Sequence, residues 1–255
     1  MSILLSWREE FAIVTIDRPQ ALNALNYGML HEIGRVLDEV ESSEARAVFF
    51  IGAGDRAFCA GADIGELPGR TIPEEYAGTL LGQRLCSRIE SFALPSIALV
   101  NGHALGGGCE LALSCTFRLG SPSARFGLPE IKLGLVPGYG GTQRLPRLIG
   151  MSAALEMLMT GCSMEAEDAL RLGLLSRLVS GDLLSAGIEF ARGFTGHGLL
   201  ALRMVRDAAL RGRDLPLQGG LQVEADLSSL SFRSADGQEG LSAFIEKRKP
   251  VFRDR

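Results

Sequence analysis

The sequence predicts an α/β protein, a strand–helix core followed by a helical C-terminal region. Three observations carry this. Short apolar runs rich in β-branched residues alternate with amphipathic stretches over the first two-thirds of the chain. From about Met151 onward strand signals become scarce and helical periodicity takes over, with a composition shift near residue 195. The 255 residues, 46% hydrophobic and 22% charged, are enough for one large globular domain or a core with a smaller piece. The expected division is a core over 1–195 and a helical region over 196–255.

In order, Phe11 to Ile16 (FAIVTI) reads as a strand with Ile3 to Ser6 as its hairpin partner. Asn26 is placed to cap a helix running to about Glu41, with Leu30, Ile33, Leu37 and Val40 on one face. Ala47 to Ile51 is a buried strand. Pro73 to Phe92 reads as a long helix whose inner face is Tyr76, Leu80, Leu81, Leu85 and Ile89. Phe117 to Leu119 and Ala124 to Phe126 read as short strands. The stretch 127–145 reads mostly as loop, dense in glycine yet too apolar for a solvated linker, and such backbone tends to line a site. Helical segments are expected at roughly 151–159, 165–171, 182–194, 198–211, 216–231 and 237–248.

The chain is organised around Pro95 to Cys115, PSIALVNGHALGGGCELALSC. Ser96 to Val100 is a buried strand, Asn101 to His103 a turn, and Gly106, Gly107 and Gly108 lead into a buried helix from Cys109 to Leu113. Three consecutive glycines cost chain entropy at a helix start. Two readings account for them. Either the bare backbone lets a ligand oxygen approach the free N–H groups beside Glu110, or the glycines make a tight strand-to-helix turn and Glu110 favours the helix dipole.

Several functions are disfavoured. A net charge of −4 without an aromatic–basic stripe argues against nucleic acid as a partner. Five cysteines in no C-x-x-C pair argue against a disulfide framework and for reduced thiols in a cytoplasm. The three histidines and the cysteines share no ligand spacing, so no metal is expected. No long apolar run suggests a membrane span, and MSILLSWREEF has no leader-like pattern. Gly52-x-Gly54-x-x-Ala57 follows a strand but meets no helix start, so a dinucleotide site is not expected.

Three stretches stand together: CAGAD at 59–63, LGGGCE at 105–110 and GLPEIKLGLVPGYGGTQRL at 127–145. With RPQALNAL at 18–25 and SADGQEGLSAFIEKRKPVF at 234–252, they resemble the enoyl-CoA hydratase/isomerase (crotonase) family over nearly the whole chain, and the hydratases most. The resemblance implies a spiral of ββα repeats, C-terminal helices that assemble a homotrimer or homohexamer, and a cytoplasmic lyase acting on an acyl-CoA thioester in fatty-acid β-oxidation. Coenzyme A would arrive as part of the substrate, with no separate cofactor.

The same match implies residue roles. The backbone N–H groups of Ala62 and Gly107 would form an oxyanion hole, with Gly61 and Gly106 keeping the approach open. Glu110 would orient and activate a water, and Glu130 would deliver a proton to Cα. Ala60, Ala62, Asp63 and Ile64 fall in the coenzyme A-contacting stretch. Lys247 matches a basic residue that reaches a neighbouring subunit's nucleotide phosphate, or is simply a charge on a solvated helix. Phe244 would reach a neighbour's acyl end. Ile64, Leu67, Leu133 and Tyr139 are candidates for the pocket lining, the three aliphatic ones equally for ordinary core. Gln20 and Gly65 stand where many members carry lysine, and Ser228 where an aromatic is common. Gln20 removes a cation from the expected phosphate region. Keeping both glutamates favours hydratase over isomerase; a hydratase of a cyclic or branched enoyl-CoA and a non-catalytic binding relative are the other readings.

Overall fold

The computed structural model describes residues 2–254. The elements run β1 (Ile3–Arg8), β2 (Phe11–Ile16), α1 (Tyr27–Glu41), β3 (Ala47–Gly52), β4 (Ala57–Cys59), α2 (Ile72–Glu90), β5 (Ser96–Val100), β6 (His103–Leu105), α3 (Gly107–Ser114), β7 (Phe117–Gly120), β8 (Arg125–Gly127), α4 (Gly141–Ile149), α5 (Met151–Thr160), β9 (Ser163–Glu165), α6 (Ala166–Arg171), β10 (Arg177–Leu178), α7 (Leu183–Thr195), α8 (Leu199–Arg213), α9 (Leu217–Arg233) and α10 (Ala235–Glu246). Short 3-10 turns sit at Pro19–Ala21, Ile64–Glu66 and Pro129–Leu133.

Two sheets share the strands. The large one has the order β1-β2-β3-β5-β7-β10 and the small one β4-β6-β8-β9. Apart from the β1–β2 and β8–β9 pairs, all neighbours are parallel. Each turn of chain gives one strand to the large sheet and the next to the small one: β3 then β4, β5 then β6, β7 then β8. This is the ββα spiral that the family resemblance implies. The core is packed on the large sheet, where Phe11, Phe49, Phe50, Ile97 and Leu99 are fully buried. The Phe11 and Phe49 rings meet edge to face at 5.6 Å.

Local signals explain the helices. Asn26 caps α1 by accepting from the Met29 N–H at 2.8 Å, and Leu30, Ile33, Leu37 and Val40 are all buried. Thr71 and Glu74 form a capping box at the start of α2. The inner face of α2 differs from the expectation. Tyr76 is exposed, and the buried positions are Gly78, Gly82, Leu85, Cys86 and Ile89. Leu85 and Ile89 are buried as expected and Leu80 and Leu81 are half-buried, while the two glycines give no apolar signal from which their burial could be read.

Other differences are small strands. His103, read as part of a turn, opens β6, and β4, β9 and β10 are two or three residues long, too short to show a period of two. The stretch 127–145, read mostly as loop, contains the Pro129–Leu133 turn and the first residues of α4. Arg118 is buried and donates to the Leu174, Cys115 and Ala112 carbonyls, two of them at the C-terminal end of α3.

The chain forms two compact units. The first holds the residues through Ile188 except 93–95; the second holds 93–95 and the residues from Glu189 onward. In the second unit α8 packs on α9, and the buried Asp236 carboxylate accepts the Arg253 and Asp254 N–H groups, each at 2.7 Å.

Candidate active site

Ala62, Gly107 and Glu130 lie just past the C-terminal ends of β4, β6 and β8, three neighbouring parallel strands of the small sheet. The chain after β4 is strapped to residues 22–25. The Ala60 N–H donates to the Leu22 carbonyl, the Leu25 N–H to the Gly61 carbonyl, and the Asp63 N–H to the Leu25 carbonyl, at 2.8–3.0 Å. Asn23, buried and left-handed at φ 60°, donates its side-chain amide to the Ala53 and Ala57 carbonyls. Asp63 binds Arg18 at 2.6 Å and accepts from the Gly65 N–H, and the Arg18 hydrogen bond holds its carboxyl below the usual range. The Asp63 side chain therefore fixes the loop that presents Ala62. Arg18 and Asn23 were not singled out as site residues. The ALNAL signature contained the signal, but a buried asparagine's partners depend on the fold.

The three glycines answer to three constraints. Gly106 adopts φ 50°, ψ −128°, donates to the Gly127 carbonyl at 2.9 Å, and has the Glu130 Oε1 only 2.9 Å from where a Cβ would stand. A Cβ on Gly108 would run into the Cys59 carbonyl oxygen, so the backbones of α3 and β4 meet there. At Gly107 the Cβ position lies 3.5 Å from the Ala62 nitrogen and 3.0 Å from the Tyr139 ring. Gly107 is the first residue of α3, and its N–H has no helical partner. Among the described residues neither it nor the Ala62 N–H donates to a protein acceptor. Two unspent donors thus lie close together at the ends of β4 and β6.

Glu110 is 1% exposed, in a helix whose every residue is buried. One carboxylate oxygen accepts the Tyr139 N–H at 2.8 Å and the Gly141 N–H, at the start of α4, at 2.7 Å. Those bonds favour the ionised form; burial opposes them and prevails, pushing the carboxyl up to about 7, with the nearby Glu130 adding to the rise. Glu130 lies in the turn after β8. Burial raises its carboxyl too, and its Oε2 is buried with no hydrogen-bond partner among the described residues. Two donors for a developing negative oxygen and two carboxyls of raised pKa suit proton transfer next to a thioester carbonyl.

The structure therefore brings together Ala62, Gly107, Glu110 and Glu130, with Gly61, Gly106 and the buried Tyr139 around them. Ile64 and Leu133, for which ordinary core was the alternative, are each 56% exposed, which rules that alternative out; Leu67 is half-buried. Phe244 and Lys247 belong to the second unit, where Phe244 is 84% exposed on α10 and Lys247 is its left-handed C-cap. Among the described residues no His, Cys, Asp and Glu cluster could hold a metal ion.

The family model described as enoyl-CoA hydratase/isomerase matches residues 7–255. The chain belongs to the enoyl-CoA hydratase/isomerase family. Among family members, it is 41% identical over 250 residues to the short-chain-enoyl-CoA hydratase of Clostridium acetobutylicum, covering 97% of this chain and 96% of that one. It is also 41% identical over 253 residues to the crotonyl-CoA hydratase of Syntrophomonas wolfei, covering 98% and 97%. The crystal structure of enoyl-CoA hydratase from Bacillus anthracis superposes with a TM-score of 0.94 at 35% identity, covering all of both chains.

Proposed function

We propose that this protein is an enoyl-CoA hydratase, a hydro-lyase that adds water reversibly and syn across the double bond of a 2-enoyl-CoA thioester. The observation that carries this reading is the pair of free N–H donors, Ala62 and Gly107, set beside the buried Glu110 carboxyl and the half-buried Glu130 carboxyl. The hydratase names of the relatives at about 40% identity agree with it.

The thioester oxygen accepts both N–H groups, and the charge that develops on it as the enolate forms strengthens those bonds. The α3 dipole adds to the Gly107 donor. Glu110, ionised and anchored by the Tyr139 and Gly141 N–H groups, takes a proton from the water whose oxygen bonds to Cβ. Glu130, protonated, gives its proton to Cα. One proton enters the pair and one leaves it, so water is added with no cofactor. Keeping both carboxyls favours hydration over double-bond migration, which needs only one.

The test is loss of the enoyl absorbance when the protein is mixed with crotonyl-CoA, followed across pH. The acid limb of kcat/KM is expected near the Glu110 value of about 7, because the base must be ionised. Folding stability runs the other way. With a folded value raised from 4.5 to about 7, the contribution is fully present below 4.5 and is lost as pH rises through about 7. No turnover overturns the hydratase reading; an acid limb below about pH 5.5 overturns Glu110 as the base.

We also propose a homotrimer or a homohexamer in the cytoplasm, serving fatty-acid β-oxidation. Neither α8 nor α9 carries a buried residue, and Val205, Leu217, Leu230, Phe244 and Ile245 are 60–84% exposed. That is more exposed apolar surface than a monomer of this size tolerates well. Sedimentation should give a mass three or six times that of the chain, and a monomer at micromolar concentration overturns the assembly. Cys59, Cys86, Cys109 and Cys115 are buried free thiols, and no helix among the described residues is long and apolar enough to cross a membrane.

A further inference from the structure

Helix α2 keeps two glycines one turn apart on its buried face, Gly78 and Gly82, although glycine is a poorer helix former than alanine. Both are seats for tyrosine rings. A Cβ on Gly78 would stand 2.6 Å from the Tyr27 Cε1, and one on Gly82 would overlap the Tyr139 ring. The opposite edge of the Tyr139 ring, Cε2 and Cδ2, lies 3.0 and 3.1 Å from the Cβ position of Gly107. Tyr139 thus spans from α2 to the oxyanion donors and is only 8% exposed. Its backbone N–H meanwhile holds Glu110.

One helical turn away, Tyr27 borders a groove of ≈620 Å³ that Gly78, Leu80 and Leu81 also line. The Arg70 guanidinium stacks on the Tyr27 ring at 3.9 Å from its centroid and bonds its hydroxyl. The sequence of contacts is therefore Gly107, the Tyr139 ring, Gly82, then Gly78 and Tyr27, then the groove. The groove has the volume of a ligand pocket and a largely apolar wall, yet the Tyr139 ring stands between it and the space where the thioester oxygen would sit.

We propose that Tyr139 sets the acyl-chain length by closing the path along α2 from the oxyanion donors to the groove beside Tyr27. This rests on the hydratase reading. Short 2-enoyl groups end before the ring and turn over; the distal carbons of longer ones reach the groove only when the ring is removed. The glycine at position 82 is part of the device, because any side chain there would push the ring out of its seat.

The experiment compares kcat/KM for crotonyl-CoA, 2-octenoyl-CoA and 2-decenoyl-CoA in the wild type and in Tyr139→Ala, Tyr139→Leu and Tyr139→Phe. None of these removes the backbone N–H that holds Glu110. The ratio of decenoyl to crotonyl should rise by about tenfold or more in Tyr139→Ala, rise less in Tyr139→Leu, and stay at the wild-type value in Tyr139→Phe, which keeps the ring. Calorimetric affinities for decanoyl-CoA and butyryl-CoA give the same comparison without turnover. They separate the two readings: a protein that hydrates nothing overturns the hydratase, while binding still judges Tyr139. An unchanged long-to-short ratio in the folded alanine and leucine variants overturns the role of Tyr139.

Discussion

Glu130→Gln lowers kcat for crotonyl-CoA hydration by about 10²–10⁴ while KM and Tm change little. The carboxamide fills the same space but has no proton acidic enough to give to Cα. Nothing structural should break. Glu130 Oε2 has no partner among the described residues, so an amide nitrogen there displaces no hydrogen bond, and the change removes a carboxyl whose ionisation burial disfavours. Steady-state kinetics with a thermal melt checks this. Activity within tenfold of wild type, in a variant that melts normally, removes Glu130 from the proton transfer.

Gly107→Pro lowers kcat by about 10²–10³ and leaves a folded protein. Proline deletes the N–H proposed to hold the enolate oxygen. Its placement is unusually favourable. Gly107 is the first residue of α3, where a helix tolerates proline. The preceding residue, normally crowded by the proline ring, is Gly106, which has no Cβ and an extended ψ of −128°. The Tyr139 ring, 3.0 Å from the Cβ position, must give by a few tenths of an ångström. The check is kcat against the circular-dichroism melt. Near-wild-type kcat in a folded variant means that the oxyanion is stabilised elsewhere.

Much of this was legible in the chain. Asn26 and the apolar face of α1 are local signals, and so are the five residues of β5 and the glycines before α3. The six helical segments of the last hundred residues fall within two or three positions of those read from periodicity. The four proposed catalytic positions came from motif resemblance, and their convergence needed the fold, since Glu110 and Glu130 share no local element. What was illegible has a common cause. The strands that carry the site are three residues long, and Gly78 and Gly82, which define the buried face of α2, have no side chains to report burial. Tyr76 was placed on that face for want of this signal. Ile64 and Leu133 show the reverse: apolar residues with large exposure, which hydrophobicity alone assigns to an interior.

The placement of Ala62, Gly107 and Glu130 after β4, β6 and β8 has a consequence for how the activity is born. These strands pair in parallel, so each contact joins distant parts of the chain and forms only after long loops have closed. The Gly106 N–H binds the Gly127 carbonyl at the end of β8, so even the glycine turn is unanchored until that last strand docks. A nascent chain that has built β1 through α3 holds one donor loop, an unfixed helix start and no second carboxylate. Catalysis therefore arrives late and all at once in folding, which keeps partly folded chains from acting on the thioester pool.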